Sequence, residues 1–276
     1  MQDMSSPPAV PDRMPERVRH VLRFRVVQLR HREQISPGML RLTFGGDDLQ
    51  GFESPGFDDH VKLIFPDPVT GVILCPKVGP NGAIWPDDTR PVMRDYTPRH
   101  YDKEANLLTV DFALHEAGPA TAWALAARLG DSLGVGGPKG SMIIPMDFDG
   151  HLLVGDETAL PAIARRVRAL PPSARAIVLV EVDSPAHVLE LPTAAQVTIR
   201  WVYRSEAAEG ASSALPNAVA DLMLPTGDCF AWVACETLLA RELRATLVER
   251  GWPAKRIKAA GYWRRGKAAS HEPIEG

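Results

Sequence analysis

Three short stretches carry side chains suited to holding an anionic, aromatic ligand. Arg94-Asp95-Tyr96-Thr97-Pro98-Arg99 puts two guanidiniums, a phenol ring and a hydroxyl within six residues. In an extended chain Arg94, Tyr96 and Pro98 face one way, and Asp95, Thr97 and Arg99 face the other. Guanidinium forks match phosphate oxygens, and a phenol ring can lie flat on a conjugated cofactor. A tyrosine packed in a barrel between two solvated arginines fits the same residues, and the stretch alone leaves both readings open. From His115 to Trp123 the chain reads His-Glu-Ala-Gly-Pro-Ala-Thr-Ala-Trp. Gly118 and Pro119 open a helix there, since proline suits the first turn. A helix start exposes unpaired backbone N–H groups that favour anions, and Thr121 adds a hydroxyl; an ordinary helix start is the alternative. Trp123 reads as core and His115 as a hydrogen-bonded structural histidine. The third stretch is Gly155-Asp156-Glu157-Thr158-Ala159-Leu160-Pro161, one glycine, two acids and a hydroxyl ahead of a helix. Its acids serve equally as ligand contacts or as helix caps.

Other chemistry lacks its residues. The chain has no HExxH, no paired CxxC, no GxSxG, no GxGxxG and no Walker-type glycine loop with its lysine. Cys229 and Cys235 are isolated, whereas an iron–sulfur cluster needs four ligands. Hydrolase and nucleoside-triphosphatase readings fall behind.

The elements that must position these stretches change character along the chain. Residues up to about Pro15 hold four prolines and little apolar material, which predicts a disordered lead-in over 1–20. Val21–Arg30, Met39–Phe44, His60–Phe65 and Asn106–Leu114 are rich in strand-forming residues, with turn chemistry at Ser36-Pro37-Gly38, Gly45-Gly46-Asp47-Asp48 and Asp67-Pro68. Short strands at this spacing predict an antiparallel β-barrel over 21–148, interrupted by a helix over Pro119–Leu129 that Gly130 ends. After Gly150 strands at His151–Val154, Ala176–Val182, Val197–Tyr203, Phe230–Ala234 and Ile257–Trp263 alternate with helices at Ala159–Leu170 and Thr237–Arg250. That rhythm predicts an α/β domain with a mainly parallel sheet over 149–268, followed by a flexible tail over 269–276. The third stretch then sits at the carboxyl end of the first parallel strand, where open α/β sheets gather ligands. Arg204, ending another strand, meets either a 2′-phosphate or solvent.

With 276 residues, 45% of them apolar, the chain is long enough for two cored domains. Thirty-one basic and 34 acidic residues leave a net charge of −3, which excludes wholesale nucleic-acid binding. No apolar run approaches the roughly 20 residues of a bilayer span. The first thirty residues lack the order of a secretory signal, and three cysteines without tight pairing fit a reducing compartment, so a cytoplasmic protein is expected. The charge is segregated: six arginines lie between Arg17 and Arg32, and Lys255–Lys267 is basic throughout. Both runs are readable as solvated faces.

Taken together, Arg-x-Tyr-Thr-Pro-Arg at 94–99, His-x-x-Gly-Pro-Ala-Thr-x-Trp-Ala at 115–124, Gly-Asp-Glu-Thr-Ala-Leu-Pro-Ala-Ile at 155–163 and Gly-Tyr-Trp-Arg-x-Gly at 261–266 resemble the siderophore-interacting proteins. These are FAD-dependent ferric-siderophore reductases of the ferredoxin reductase-like superfamily, and the likeness runs from about Arg25 to Lys267. The resemblance implies a flavin barrel followed by a domain for NADPH or NADH, with reduced ferredoxin as another donor. It implies that Arg94, Tyr96 and Thr97 hold the flavin, with Arg99 beside them and His115 as a flavin or adenine contact. Gly118, Ala120 and Thr121 would cradle the pyrophosphate, and Asp156, Glu157 and Thr158 would line the nicotinamide side. Asp-His-Val-Lys-Leu at 59–63 and Gly-Tyr-Trp-Arg at 261–264 make Lys62 and Arg264 candidates for a basic ferric-siderophore pocket. The chain departs from the family at Ala234-Cys235-Glu236, where a glycine is usual and a cysteine could narrow a dinucleotide's approach. It also departs at its short tail, which cannot form a long C-terminal helix. A reductase of this fold acting on free flavin, quinone or a redox partner, and a siderophore-binding module without redox activity, are the alternatives.

Overall fold

The structure is a computed structural model that describes residues 13–80, 82–86, 90–114, 118–266 and 272–274. Its first part holds β1 (Glu16–Arg19), β2 (Phe24–Ser36), β3 (Met39–Gly45), β4 (Val61–Ile64), β5 (Lys77–Gly79), β6 (Gly82–Ile84), β7 (Met93–Tyr96), β8 (Pro98–Asp102), β9 (Leu107–Ala113), α1 (Pro119–Ala126), β10 (Ser132–Gly136) and β11 (Gly140–Ile143). Its second holds β12 (Gly150–Gly155), α2 (Leu160–Ala169), β13 (Arg175–Val182), β14 (Gln196–Tyr203), α3 (Leu215–Ala220), β15 (Cys229–Glu236), α4 (Thr237–Glu249), β16 (Ile257–Trp263) and β17 (Glu272–Ile274).

Seven antiparallel strands form one sheet in the order β7-β4-β10-β2-β3-β9-β8. Its two edge strands are consecutive in the chain and separated only by Thr97. The sheet therefore curls until its edges meet at that residue, giving a half-barrel. The period-2 alternation of Leu40, Leu42 and Phe44 sends these side chains inward against Val27, Leu29, Val110 and Phe112, all at most 1% exposed.

Five parallel strands with an antiparallel sixth form the second sheet, in the order β14-β13-β12-β15-β16-β17. β12 is buried along its whole length, as a strand covered on both faces must be. The chain steps outward from β12 to β14, then returns to β15 on the other side of β12. That reversal makes the gap between the carboxyl ends of β12 and β15 the topological switch point. α2 covers one face together with Met39, Phe57, Ile144 and Phe148 from the barrel side, so the two parts share a core around the buried Trp232. α3 and α4 cover the other face.

Several expectations are corrected. Glu16–Arg19, placed in the disordered lead-in, is a strand paired with Gly140–Ile143. Glu272–Ile274, placed in the flexible tail, adds an antiparallel strand to β16. The helix expected over Pro119–Leu129 stops at Ala126, because Ala127 turns to φ −59°, ψ 136° and Leu129 is 68% exposed. Among the N-terminal arginines Arg25 is not solvated. Its Nη1 donates to the Gly137 carbonyl at 2.9 Å and its guanidinium lies 5.2 Å from the Phe52 ring centre. In the C-terminal run Lys258 pairs with Asp58 and Arg256 with Asp228.

Candidate functional site

β7 pairs with β4, which sets the run from Arg94 to Thr97 on the open edge of the half-barrel. The Tyr96 ring packs 4.3 Å from that of Phe112, tilted by 38°, and burial pushes its phenol well above the usual range. Arg94 turns back, with Nη1 donating to the Met93 carbonyl at 2.7 Å. Thr97 is buried and hydrogen-bonds the Tyr262 phenol at the end of β16, which joins the two parts of the molecule.

Ala120 and Ala124 of α1 pack in the barrel core, against which Tyr96 also packs. Gly118 is extended (φ −147°, ψ 146°), Pro119 occupies the first turn, no side chain among the described residues caps the helix and the first turn holds no acid. The N–H groups of Ala120 and Thr121 therefore lack a partner within the helix, in a helix whose dipole favours negative charge. His115 lies outside the described residues.

The switch point is arranged in the opposite way. Asp156, only 3% exposed, accepts from the Thr158 N–H at 2.9 Å and from its hydroxyl, and caps the 3-10 turn that leads into α2. Its other oxygen accepts from Trp263 Nε1 at 2.7 Å. Burial pushes this carboxyl up to about 6, against the hydrogen bonds from Thr158 and Trp263. Glu236 caps α4 by accepting from the N–H groups of Leu238 and Leu239 at 2.7 and 3.1 Å. Glu157 is held by both terminal nitrogens of Arg204, which also lies 3.8 Å from Glu181 and from Asp183. Arg204 is thus engaged by carboxylates, with its side chain still 36% exposed. Two glycines let this region close up. A Cβ on Gly155 would lie 2.6 Å from the Ala234 carbonyl oxygen, and one on Gly261 would lie 2.9 Å from Thr237 Cα.

Comparison with known proteins joins these parts. Residues 28–142 match the siderophore-interacting FAD-binding domain, and residues 148–266 match the siderophore-interacting protein domain. The chain is 37% identical to the NADPH-dependent ferric-chelate reductase of Escherichia coli, over 91% of this chain and 97% of that one. It belongs to the siderophore-interacting protein family. It is 31% identical to the ferric vibriobactin reductase of Vibrio cholerae, over 90% of this chain and 93% of that one. The crystal structure of a siderophore utilization protein from T. fusca superposes with a TM-score of 0.85 at 38% identity, covering 92% of this chain and 98% of that one. A ferredoxin NADP+ reductase from Neisseria gonorrhoeae, 12% identical with a TM-score of 0.58, covers 87% of this chain and 99% of that one and shares the fold.

In this family member Cys235 is buried in the core beneath α3 and α4, and burial pushes its thiol far up. Its sulfur points into packing rather than into the crevice, so the substitution does not narrow the approach there. Lys62 is exposed on β4 and its Nζ pairs with Asp95 at 2.8 Å. Arg264 ends β16 half-exposed, with neither hydrogen bond nor ion pair among the described residues. No hydrogen bond or ion pair joins Lys62 to Arg264 among the described residues. Arg99 contributes to a cleft with Arg165 and Arg168 whose lining does not include Arg94, Tyr96 or Thr97. Sequence reasoning missed Tyr262 and Trp263 as ties and Glu236 as a cap. A signal was present for each: Tyr262 and Trp263 lie in the quoted Gly-Tyr-Trp-Arg motif, and Glu236 directly precedes the last helix.

Proposed function

We propose that this chain is a ferric-siderophore reductase that binds FAD and passes electrons from NADPH or NADH to an Fe(III)-siderophore, releasing Fe(II) for iron assimilation. The observation that carries the reading is the bare amino end of α1 in a chain whose residues 28–142 match an FAD-binding domain. The residues fit FAD. The Ala120 and Thr121 N–H groups and the Thr121 hydroxyl would hold its pyrophosphate next to Gly118, Arg94 would supply positive charge, and Tyr96 with Thr97 would hold the ring and ribityl region. When bound, FAD supplies the exchange between a two-electron hydride donor and a one-electron ferric acceptor.

The remaining chemistry belongs to the chain's own residues. No protein nucleophile or general base is required. The Thr97–Tyr262 hydrogen bond ties the flavin edge to β16. Trp263 ties the same strand to Asp156, so β16 holds the two sides of the cleft in register. Asp156, Glu157 and Thr158 line the donor side. Lys62 and Arg264 offer positive charge to an anionic ferric chelate, which speeds encounter. Oxygen donors of the siderophore prefer Fe(III), so reduction loosens the complex. The three free cysteines suit work in the reducing cytoplasm. No helix among the described residues is long and apolar enough to cross a membrane.

A second reading of the donor has an observation behind it. Asp156 and Glu236 already occupy the helix-start N–H groups at the switch point. Those groups are where a dinucleotide's pyrophosphate ordinarily docks. Reduced ferredoxin, which needs no such dock, is therefore the alternative donor.

The test is an absorption spectrum of the purified protein, followed anaerobically during addition of NADPH, NADH or reduced ferredoxin and then of ferric siderophores. The expected record is a flavin band that bleaches with one donor and recovers as Fe(II) appears. A flavin band that bleaches but never recovers with any ferric siderophore, while recovering with free flavin or quinone, replaces the acceptor. A colourless protein that binds ferric siderophore and refuses FAD removes the redox reading.

A further inference from the structure

Between β8 and α2 lies a cleft of about 610 Å³ whose lining includes Arg99, His100, Arg165, Arg168, Glu53 and Ser54. Its cations come from both parts of the molecule. The ladder between β8 and β9 slips between Pro98 and His100, leaving Arg99 as the residue without a partner in the register. Arg165 and Arg168 come from α2, a residue spacing that places both on one side of the helix.

The three guanidiniums are not equally engaged. Arg165 is structural: it donates to the Pro98 carbonyl at 2.9 Å, to the Ser54 hydroxyl at 3.1 Å and to the Ser54 carbonyl, fastening α2 to the barrel. The Arg99 side chain is 11% exposed, and its Nε is buried with no hydrogen-bond partner among the described residues. Its one carboxylate contact among the described residues is with Asp111 at 3.7 Å, but Arg41 already takes both oxygens of Asp111 at 2.7 and 2.8 Å. Arg168 is exposed and makes no hydrogen bond or ion pair among the described residues. Glu53 offers little relief, since its side chain is 75% exposed and lies 3.8 Å from His20. Burial lowers the Arg99 pKa first, Asp111 opposes it, and Arg41, Arg168 and Arg165 lower it further. Burial, then Arg168, with Arg99 and Arg165 behind them, lowers that of His100 against the pull of Asp102.

A buried Nε–H on a largely buried arginine, with no hydrogen-bond partner among the described residues, is costly unless an anion shares the site. We propose that this cleft binds a phosphoryl group of a small anion, gripped by Arg99 on the barrel side and Arg168 on the α2 side. A tetrahedral phosphate presents oxygens to forks arriving from two walls, whereas a planar carboxylate serves one fork well. The volume exceeds what one phosphate fills and falls in the range of small-molecule pockets, so the group can be part of a larger ligand. Tyr101, Pro55 and Pro98 supply the apolar remainder of the wall. The site lies outside the reductase reading and does not rest on it. Because it spans the seam that Arg165 fastens, an occupant holds the two parts together.

Isothermal titration of the FAD-loaded protein at low ionic strength, with inorganic pyrophosphate and with 2′,5′-ADP as probes, tests this. One equivalent is expected to bind, raising the thermal midpoint. Arg168→Gln is expected to weaken that binding at least about tenfold, while Arg241→Gln on α4 leaves it unchanged. Pyrophosphate binding as tightly as 2′,5′-ADP assigns the site to free inorganic anions; tighter 2′,5′-ADP, with a raised KM for NADPH and not NADH in Arg168→Gln, assigns it to a nucleotide. Both support the site. Absence of saturable binding up to about 10 mM, unchanged binding in Arg168→Gln, or binding confined to flavin-free protein overturns it.

Discussion

The amino end of α1 and the helix starts at the switch point are built from the same backbone groups, yet the chain treats them oppositely. At α1 a glycine and a proline precede the amides, and among the described residues no carboxylate caps them. At the crevice between β12 and β15, Asp156 takes the Thr158 amide, and Glu236 takes those of Leu238 and Leu239. A helix start is an anion site only while its amides are unoccupied. The barrel side is therefore open to a pyrophosphate, whereas the α/β side is already satisfied by the chain's own acids. Among the described residues this difference leaves the amides at α1, and not those capped at the switch point, available to an anion.

Closing the open end should have the largest effect. Gly118→Asp places a carboxylate at the cap in a backbone conformation that any residue adopts. FAD affinity is expected to fall by about two orders of magnitude, read as lost flavin absorbance after gel filtration and by titration of the apoprotein. Retention of full flavin content would break the comparison outright.

Opening the crevice at Asp156 tests the other side through pH. Its carboxyl is raised to about 6 in the folded protein from 3.8. A raised carboxyl stabilises the fold below the unfolded pKa, and that contribution is lost as pH rises through the folded one. Asp156→Asn removes this dependence, so the stability of the variant relative to the parent should climb between pH 4 and 6 and then level off. The span is about 3 kcal/mol, measured by urea unfolding at several pH values. A flat difference across that window would show that Asp156 is charged throughout.

Glu236→Ala should cost about 1 kcal/mol of stability through the lost cap. It should also lower KM for the nicotinamide donor, because it uncovers the Leu238 and Leu239 amides. A raised KM would instead make Glu236 a donor contact. The smallest change is expected from Cys235→Ala, which removes one buried sulfur: about 1 kcal/mol or less in unfolding, with donor KM unaltered. A shift in KM would place the thiol in the crevice after all.

Much of this comparison was legible in advance, and the limits of that reading have physical causes. Gly118-Pro119 marked a helix start because both residues restrict or free the backbone locally. The alternation at Leu40, Leu42 and Phe44 and the strand–helix rhythm after Gly150 likewise depend on near neighbours. Asp156 was readable as a cap or as a ligand contact, and the choice needed Trp263, which is 107 positions away. Arg204 read as solvated or phosphate-bound because nothing nearby in sequence announces that Glu157, Glu181 and Asp183 converge on it. The resemblance set Arg99 beside the flavin residues, whereas its side chain lines a cleft with Arg165 and Arg168, which lie about 70 positions away in the chain. Cys235 looked obstructive because a glycine is usual there, yet the strand's pleat turns its side chain into the core.

What the amino-acid sequence by itself determined is the order of the two domains and the helix starts, since these follow from short-range backbone preference and side-chain period. What only the tertiary structure decided is which charges are spent on one another and which remain for a ligand. That outcome depends on the curl of the barrel and on β16 meeting it through Tyr262, because neutralisation is settled by distance in space rather than by separation along the chain.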